Sequence, residues 1–85
     1  MLQYDHEADV LYVMLEFPEG KQYGAQLDEY RIVHSDEGGR VVAVEFLGVS
    51  RGLNLGGVPE ASRIVKELQR FRAATAGVQL PAATS

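Results

Sequence analysis

The sequence predicts an α+β fold: a four-stranded, mostly antiparallel β-meander followed by one C-terminal α-helix. Residues 1–50 contain short runs rich in β-branched and aromatic residues, separated by polar turn sequences, which is typical of strands joined by hairpins. Residues 59–74 instead repeat apolar side chains at three- and four-residue intervals, which indicates one face of a helix. The 85 residues are enough for one domain, which we expect to span residues 1–76.

A short strand, Leu2–Asp5, is predicted first, and a polar turn leads from it into a central strand at residues 10–17. Alternate side chains of a strand point to opposite faces of the sheet. One face of the central strand is wholly apolar and belongs in the core: Leu11, Val13, Leu15 and Phe17. The other face is apolar at three of four positions, which is unusual for a face in water: Val10, Tyr12, Met14 and Glu16.

The last two predicted strands cover residues 27–35 and 40–49 and are joined by a hairpin turn. A three-residue loop at residues 36–38 would place Ile32 opposite Val42 in this hairpin. That register agrees with the apolar pattern of both strands, because it gathers their apolar residues on one face.

The last strand also has a second face that is almost free of charge: Val41, Ala43, Glu45, Leu47 and Val49. A charge covered by another chain needs a partner, and we expect Arg31 on the neighbouring strand to pair with Glu45. Two strands with nearly apolar second faces predict a sheet that is covered on both sides, by the helix and by a second copy of the chain.

The helix is predicted at about residues 59–74, since Pro59 suits the first turn of a helix. Five apolar residues form its predicted buried face: Ala61, Ile64, Val65, Leu68 and Phe71. The glycine-rich segment 50–57 lacks the ordered glycines and the Lys-Ser pair of a phosphate-binding loop, so we interpret it as a link between sheet and helix. Residues 77–85 are expected to form a flexible tail.

The net charge of −4 is unevenly distributed. Residues 1–50 hold ten of the twelve acidic side chains and three of the eight basic ones, so an acidic sheet precedes a basic helix. The phosphate backbone would repel this acidic majority, which argues against nucleic-acid binding. No apolar run approaches the length of a membrane span, no signal peptide is recognisable and there is no cysteine, so we expect a soluble cytoplasmic protein.

Few side chains could carry chemistry. The possible metal or acid–base group consists of carboxylates and imidazoles at loose spacing: His6, Glu7, Asp9, His34 and Asp36. This spacing matches no zinc-protease motif, and neither Ser35 nor Ser50 lies in a nucleophile elbow. We therefore predict no catalytic residue, no metal ligand and no cofactor-binding residue.

Two ordered motifs cover residues 2–50 and carry a family resemblance. They are Tyr4-Asp5-x-Glu7-Ala8-Asp9-x-Leu11-Tyr12-Val13-x-Leu15 and Asp36-x-x-Gly39-Arg40-Val41-Val42-Ala43-Val44-Glu45-Phe46-Leu47-x-x-Ser50. Together they resemble the DUF2283 family of domains of unknown function. The chain departs from that pattern at Ala43, where the family often has glycine, and at Phe46, where it often has isoleucine. The resemblance implies a small β-rich domain without a defined activity, and some members look like one half of two-gene, toxin–antitoxin-like arrangements.

The leading hypothesis is a non-enzymatic interaction module that self-associates as a homodimer. Its interface is expected to include six apolar residues of the second face: Val10, Tyr12, Met14, Val41, Leu47 and Val49. The basic helix is expected to lie near the acidic sheet of the partner. One alternative is an antitoxin-like protein that binds a small protein partner of a two-gene system, and another is a small metal-dependent enzyme.

Overall fold

The computed structural model describes residues 1–74. It contains one five-stranded sheet, a short 3₁₀ helix and one α-helix. The elements in chain order are β1 (Leu2–Asp5), β2 (Val10–Met14), β3 (Gln22–Asp28), β4 (Arg31–Asp36), β5 (Val41–Leu47), the 3₁₀ helix Val49–Arg51 and α1 (Ala61–Ala74). The α+β class, the antiparallel sheet and the C-terminal helix are confirmed, whereas the predicted number of strands is wrong. The predicted tail, residues 77–85, lies outside the described residues.

The strands lie in the order β1-β2-β5-β4-β3, and every neighbouring pair is antiparallel. The predicted meander is therefore wrong in its connections, because β5 lies between β2 and β4. Hairpins still join β1 to β2, β3 to β4 and β4 to β5. The connection from β2 to β3 leads from one side of the sheet to its far edge, which leaves β1 and β3 as the two edge strands.

The additional strand comes from a turn inside the segment predicted as one strand at residues 27–35. The chain reverses at Glu29 and Tyr30, between β3 and β4. The Asp28 carboxylate accepts a 2.9 Å hydrogen bond from the Tyr30 N–H, two residues later, which is how Asp side chains stabilise turns. β3 thus pairs with β4 as a separate edge strand, and its seven residues are exposed.

The β4–β5 hairpin differs from its predicted register. Asp36 N–H donates to the Arg40 carbonyl at 3.0 Å, so the three-residue loop is Glu37 to Gly39, one position later than predicted. Gly39 has φ of +82°, the left-handed conformation that such a loop requires. A bulge at Val42, between the pairs His34–Ala43 and Ser35–Val41, shifts the register by one more residue. Ile32 therefore lies opposite Glu45 instead of Val42.

The core lies on the face of the sheet that α1 covers. Its buried side chains come from strands, loop and helix: Val13, Val44, Phe46, Val58 and Ile64. Leu11 and Leu15 pack against this cluster, which confirms their predicted face. Phe17 was predicted to join them but is 82% exposed. β2 ends at Met14, and both Leu15 and Glu16 donate to the Val42 carbonyl, which breaks the alternation before Phe17.

Helix α1 is confirmed, although it begins at Ala61 instead of residue 59. Glu60 has φ of +60°, which is not a helical value, and its carbonyl accepts the first hydrogen bonds of the helix, from Arg63 and Ile64. Ile64 is fully buried, and Leu68 packs at the margin of the core. Val65 and Phe71 are 37% and 53% exposed, so the buried stripe is narrower than predicted. Within residues 1–74, no helix is both long enough and apolar enough to cross a membrane.

Candidate interaction surface

The sheet face opposite α1 is called the second face below. Cross-strand pairing places on it three residues of β2, three of β5 and two of β4: Val10, Tyr12, Met14, Ala43, Glu45, Leu47, Ile32 and His34. Ala43 is fully buried, while the other seven are half-buried. The helix and the loop at residues 53–58 pack on the core side, so they do not cover this surface.

Four of the six predicted interface residues lie on the second face: Val10, Tyr12, Met14 and Leu47. The other two, Val41 and Val49, pack against the core cluster instead. For Val41 the cause is the bulge at Val42, which inverts the alternation of β5 before Ala43. For Val49 the cause is Gly48, whose φ of +65° ends the strand and starts the 3₁₀ helix.

A polar cluster occupies the middle of the second face. His34 Nε2 lies 2.5 Å from Glu45 Oε1, and because a carboxylate can only accept, Nε2 carries the hydrogen. The rings of His34 and Tyr12 are 5.6 Å apart. The Gln22 amide donates to the Tyr12 hydroxyl at 2.9 Å. The charge of Glu45 is therefore paired with His34, within a polar cluster whose four side chains come from four strands, β2, β3, β4 and β5.

The predicted pairing of Arg31 with Glu45 is wrong. The observed register places Arg31 opposite Phe46, on the core side of the sheet. Its guanidinium binds the Asp28 carboxylate, with Nε 3.0 Å from Oδ2, and donates to the Asn54 carbonyl at 3.1 Å. This ion pair lowers the pKa of Asp28, chiefly through the hydrogen bond from Arg31. His34 takes the place beside Glu45 that the sequence analysis assigned to Arg31.

His34 is positioned by Gly24 of the edge strand. A Cβ atom at Gly24 would lie 3.1 Å from His34 Cε1, closer than ordinary packing allows, so the imidazole lies over the glycine backbone. A glycine within a strand often marks such a close approach. Gly24 and Gln22 are thus parts of the surface that the sequence analysis missed, and the glycine was the available signal.

An open groove of about 730 Å³ borders the second face at the β1–β2 end of the sheet. Its lining joins Val10, Tyr12 and Glu45 of the second face to the β1–β2 turn, which contributes Asp5, His6 and Glu7. Among residues 1–74 the lining includes three carboxylates, those of Asp5, Glu7 and Glu45, and neither lysine nor arginine, so this part of the groove is acidic. The groove extends the candidate surface beyond the strands.

Asp9 of the first motif has a structural role. The Asp9 carboxylate accepts hydrogen bonds from the Tyr4 hydroxyl at 2.8 Å and from the Ser50 hydroxyl at 2.6 Å. The Ser50 N–H adds another bond at 3.0 Å, and the Asp9 carbonyl accepts from Gly48 N–H at 2.8 Å. The hydrogen bond from the Ser50 hydroxyl is the main cause of a lowered pKa of Asp9. These contacts fasten the β1–β2 turn to the end of β5.

Asp36 has a corresponding role in the second motif. This buried carboxylate accepts hydrogen bonds from three backbone N–H groups, those of Glu19 at 3.1 Å, Gly38 at 2.9 Å and Arg40 at 3.1 Å. The bond from Glu19 is the largest cause of a lowered pKa of Asp36. The carboxylate thereby ties the loop after β2 to the β4–β5 turn.

The five residues considered for metal binding do not form one cluster. Asp9 bonds to Tyr4 and Ser50, Asp36 to backbone amides, and His34 to Glu45. Across residues 1–74, no three His, Cys, Asp or Glu side chains are grouped so that they could hold a metal ion. The absence of metal from the protein itself stays a prediction.

Comparison with known proteins shows the family to which the sheet-forming segment belongs. The model of a family described as "Protein of unknown function (DUF2283)" matches residues 1–50. No curated protein and no solved structure matches the chain. The matched segment contains β1 to β5 and the hydrogen-bond networks of Asp9 and Asp36, whereas α1 follows it. Since more than half of the chain is matched, the protein belongs to the DUF2283 family of proteins of unknown function.

Proposed function

We propose that the protein is a non-enzymatic interaction module that forms a homodimer through the second face. The observation that carries this proposal is that, within residues 1–74, α1 and the loop at residues 53–58 pack on the core face of the sheet and leave the other face uncovered. The second face is left with half-buried apolar side chains from three adjacent strands. Val10, Met14, Ile32 and Leu47 surround the polar cluster, and apolar surface left uncovered in this way often marks a site of association.

A second copy is the partner that suits this surface best. A chain of 9.3 kDa buries a modest core, and association adds apolar burial that one copy lacks. A two-fold axis lets the same patch serve both subunits, which makes it the commonest solution. The charge of Glu45 already has a partner in His34, so the covered face would contain no unpaired carboxylate.

The geometry of such a dimer differs from the arrangement that the charge distribution suggested. Two sheets packed face to face lie about 10 Å apart. Helix α1 lies on the opposite side of its own sheet, so both helices would be on the outside of the dimer. The proposed interface therefore depends on Tyr12, Met14, Ile32 and Leu47, and not on attraction between the basic helix and the partner's acidic residues.

The decisive experiment measures mass in solution by light scattering during gel filtration. The native protein at about 50 μM should have at least twice the chain mass, since stable homodimers are populated at micromolar concentration. Met14→Glu should reduce the mass because it places an unpaired charge in the interface. Val65→Glu, at an exposed position of α1, is the matched control and should leave the mass unchanged. A native protein that is monomeric under these conditions would overturn the proposal.

A further inference from the structure

The two edges of the sheet are protected to different degrees. β1 is four residues long, ends in Asp5 and lies beside α1. β3 has seven residues, all exposed, and within residues 1–74 it pairs with β4 on one side and with no strand on the other. From Gln22 to Leu27 it contains neither a charge nor a proline. Natural edge strands are usually shielded by such residues, because an unpaired edge exposes free N–H and C=O groups.

β3 also exposes two large apolar side chains to solvent. Tyr23 is 54% exposed and Leu27 is 42% exposed. They are four residues apart on one strand, on either side of Ala25, and both lie on the outer edge of the sheet. The bulge falls at Leu27, between Gln26 and Asp28, while Gln22 to Gln26 are regularly paired with β4. The strand therefore offers both an open ladder and an apolar surface.

The sequence around β3 is complementary to itself in the antiparallel direction. If two copies of β3 pair with their Ala25 residues directly opposite each other, Tyr23 of each copy lies opposite Leu27 of the other. One position beyond each end of the ladder, Lys21 meets Glu29 of the other copy, so that each end gains a pair of opposite charges. Apolar and opposite-charge pairs directly across neighbouring strands both stabilise a sheet.

We propose that β3 pairs with β3 of a second copy, antiparallel about a two-fold axis at Ala25, to form one continuous ten-stranded sheet. This inference concerns a different surface from the proposed face-to-face dimer and goes beyond it. An axis that relates antiparallel neighbours is perpendicular to the sheet, so the second faces of both copies lie on the same side. Two such pairs can then stack through their second faces, and the two interfaces together give an assembly of four chains with closed symmetry.

Disulfide trapping tests the position of the axis directly, because the chain contains no cysteine. Ala25→Cys places two thiols opposite each other, at a Cβ separation of about 4.5–5.5 Å. Ser62→Cys, at an exposed position of α1 outside both proposed interfaces, is the matched control. Under mild oxidation at micromolar concentration, Ala25→Cys should form dimers about tenfold faster or more, because a disulfide needs close Cβ atoms.

Equal rates of disulfide formation in the two cysteine variants would overturn the inference, whether the edge then pairs with a different protein or with none.

A second variant distinguishes association through this edge from association through the second face. Ala25→Lys places like charges directly opposite each other and should halve the native mass. If Ala25→Lys leaves the mass unchanged while Met14→Glu lowers it, the edge pairing is wrong and the proposed function stands. If Ala25→Lys lowers the mass and Met14→Glu does not, the face-to-face dimer is wrong. Thermal melts of each variant check that it is folded.

Discussion

The Ser50 hydroxyl donates a 2.6 Å hydrogen bond to the Asp9 carboxylate, across 41 residues of the chain. This contact joins the β1–β2 turn, which lies in the first family motif, to Ser50, the last residue of the second motif. Asp9 itself has φ of +57°, an uncommon value that Asp tolerates better than most residues. Asp9 of the first motif thus fastens this end of the sheet, which gives this residue a structural role.

Loss of the Ser50 hydroxyl should therefore destabilise the fold. Ser50→Ala removes the shortest hydrogen bond to Asp9 and leaves the bond from the Ser50 N–H in place. We expect the melting temperature to fall by a few degrees, since the lost bond involves an ionised acceptor. Ser62→Ala, on the exposed side of α1, is the control and should melt like the native protein. Equal melting of both variants would show that the contact does not stabilise the sheet.

Stability should also depend on the ionisation of Asp36. Its folded-state pKa is lowered from the ordinary value of 3.8, first by the hydrogen bond from Glu19 N–H. The folded state thus binds the proton more weakly than the unfolded chain does, so this contribution is complete above about pH 4 and is lost as pH falls through the folded pKa. Urea unfolding between pH 7 and pH 2.5 should show a midpoint that declines below about pH 4.

Asp36→Asn is the matching variant for this measurement. It should be less stable at pH 7, because an amide has one acceptor oxygen for the three backbone donors. Its decline in acid should be shallower than that of the native protein. Part of the decline should remain, since the pKa of Asp9 is lowered as well, chiefly by the Ser50 hydroxyl. Parallel pH curves for the two proteins would contradict the assignment to Asp36.

The strand β2 shows how far the sequence determines this fold. Its alternation placed Leu11 and Val13 in the core and Tyr12 on the second face, as observed. The turn between β3 and β4 was missed because Asp28 and Tyr30 were assigned to a single strand. What stabilises this turn is the hydrogen bond from the Tyr30 N–H to the Asp28 side chain, a contact that hydrophobic alternation does not report.

The residues of the second face could be predicted where the alternation within one strand determines them. They could not be predicted where the register between two strands determines them. Met14 and Leu47 were assigned correctly, because regular alternation extends along each of their strands from the core residues. The His34–Glu45 pair required the β4–β5 register, which a shifted loop and a bulge at Val42 changed by three residues. A register shift by an odd number of residues moves every side chain of β4 to the other face of the sheet. For this reason Arg31 was expected at the position beside Glu45 that His34 occupies.

Docking of α1 on the sheet leads to a prediction for its buried side chains. Ile64 is fully buried in the core cluster, and Leu68 packs at its margin. Ile64→Ala should lower the free energy of unfolding by about 2–5 kcal/mol, and Leu68→Ala by about 2 kcal/mol. Val65→Ala is the control on the exposed side and should change it by less than about 0.5 kcal/mol. Denaturant unfolding measures all three, and an unchanged Ile64→Ala would mean that the helix is detached.

The separated positions of His6, Asp9, His34 and Asp36 predict a protein without a tightly bound transition metal. Elemental analysis of protein purified without chelator should find far less than one equivalent per chain. One equivalent of zinc or manganese, lost in His6→Ala, would contradict this prediction. Asp36→Asn removes a carboxylate that binds backbone N–H groups, and as the comparison variant it should give the same metal content as the native protein.

The His34–Glu45 pair should make the proposed homodimer sensitive to loss of either partner. His34→Leu would leave the Glu45 carboxylate without its 2.5 Å hydrogen bond in the middle of an apolar interface. We expect the dimer dissociation constant to rise about tenfold or more, because an unpaired charge is costly to cover. The double variant His34→Leu/Glu45→Leu removes the charge together with its partner and should recover most of the affinity. Sedimentation equilibrium measures the dimer dissociation constant of the native protein, both single variants and the double variant, which together form a double-mutant cycle. Additive effects would show that the two side chains are not coupled in the interface. Unchanged dissociation constants in both single variants would show that the pair lies outside the interface.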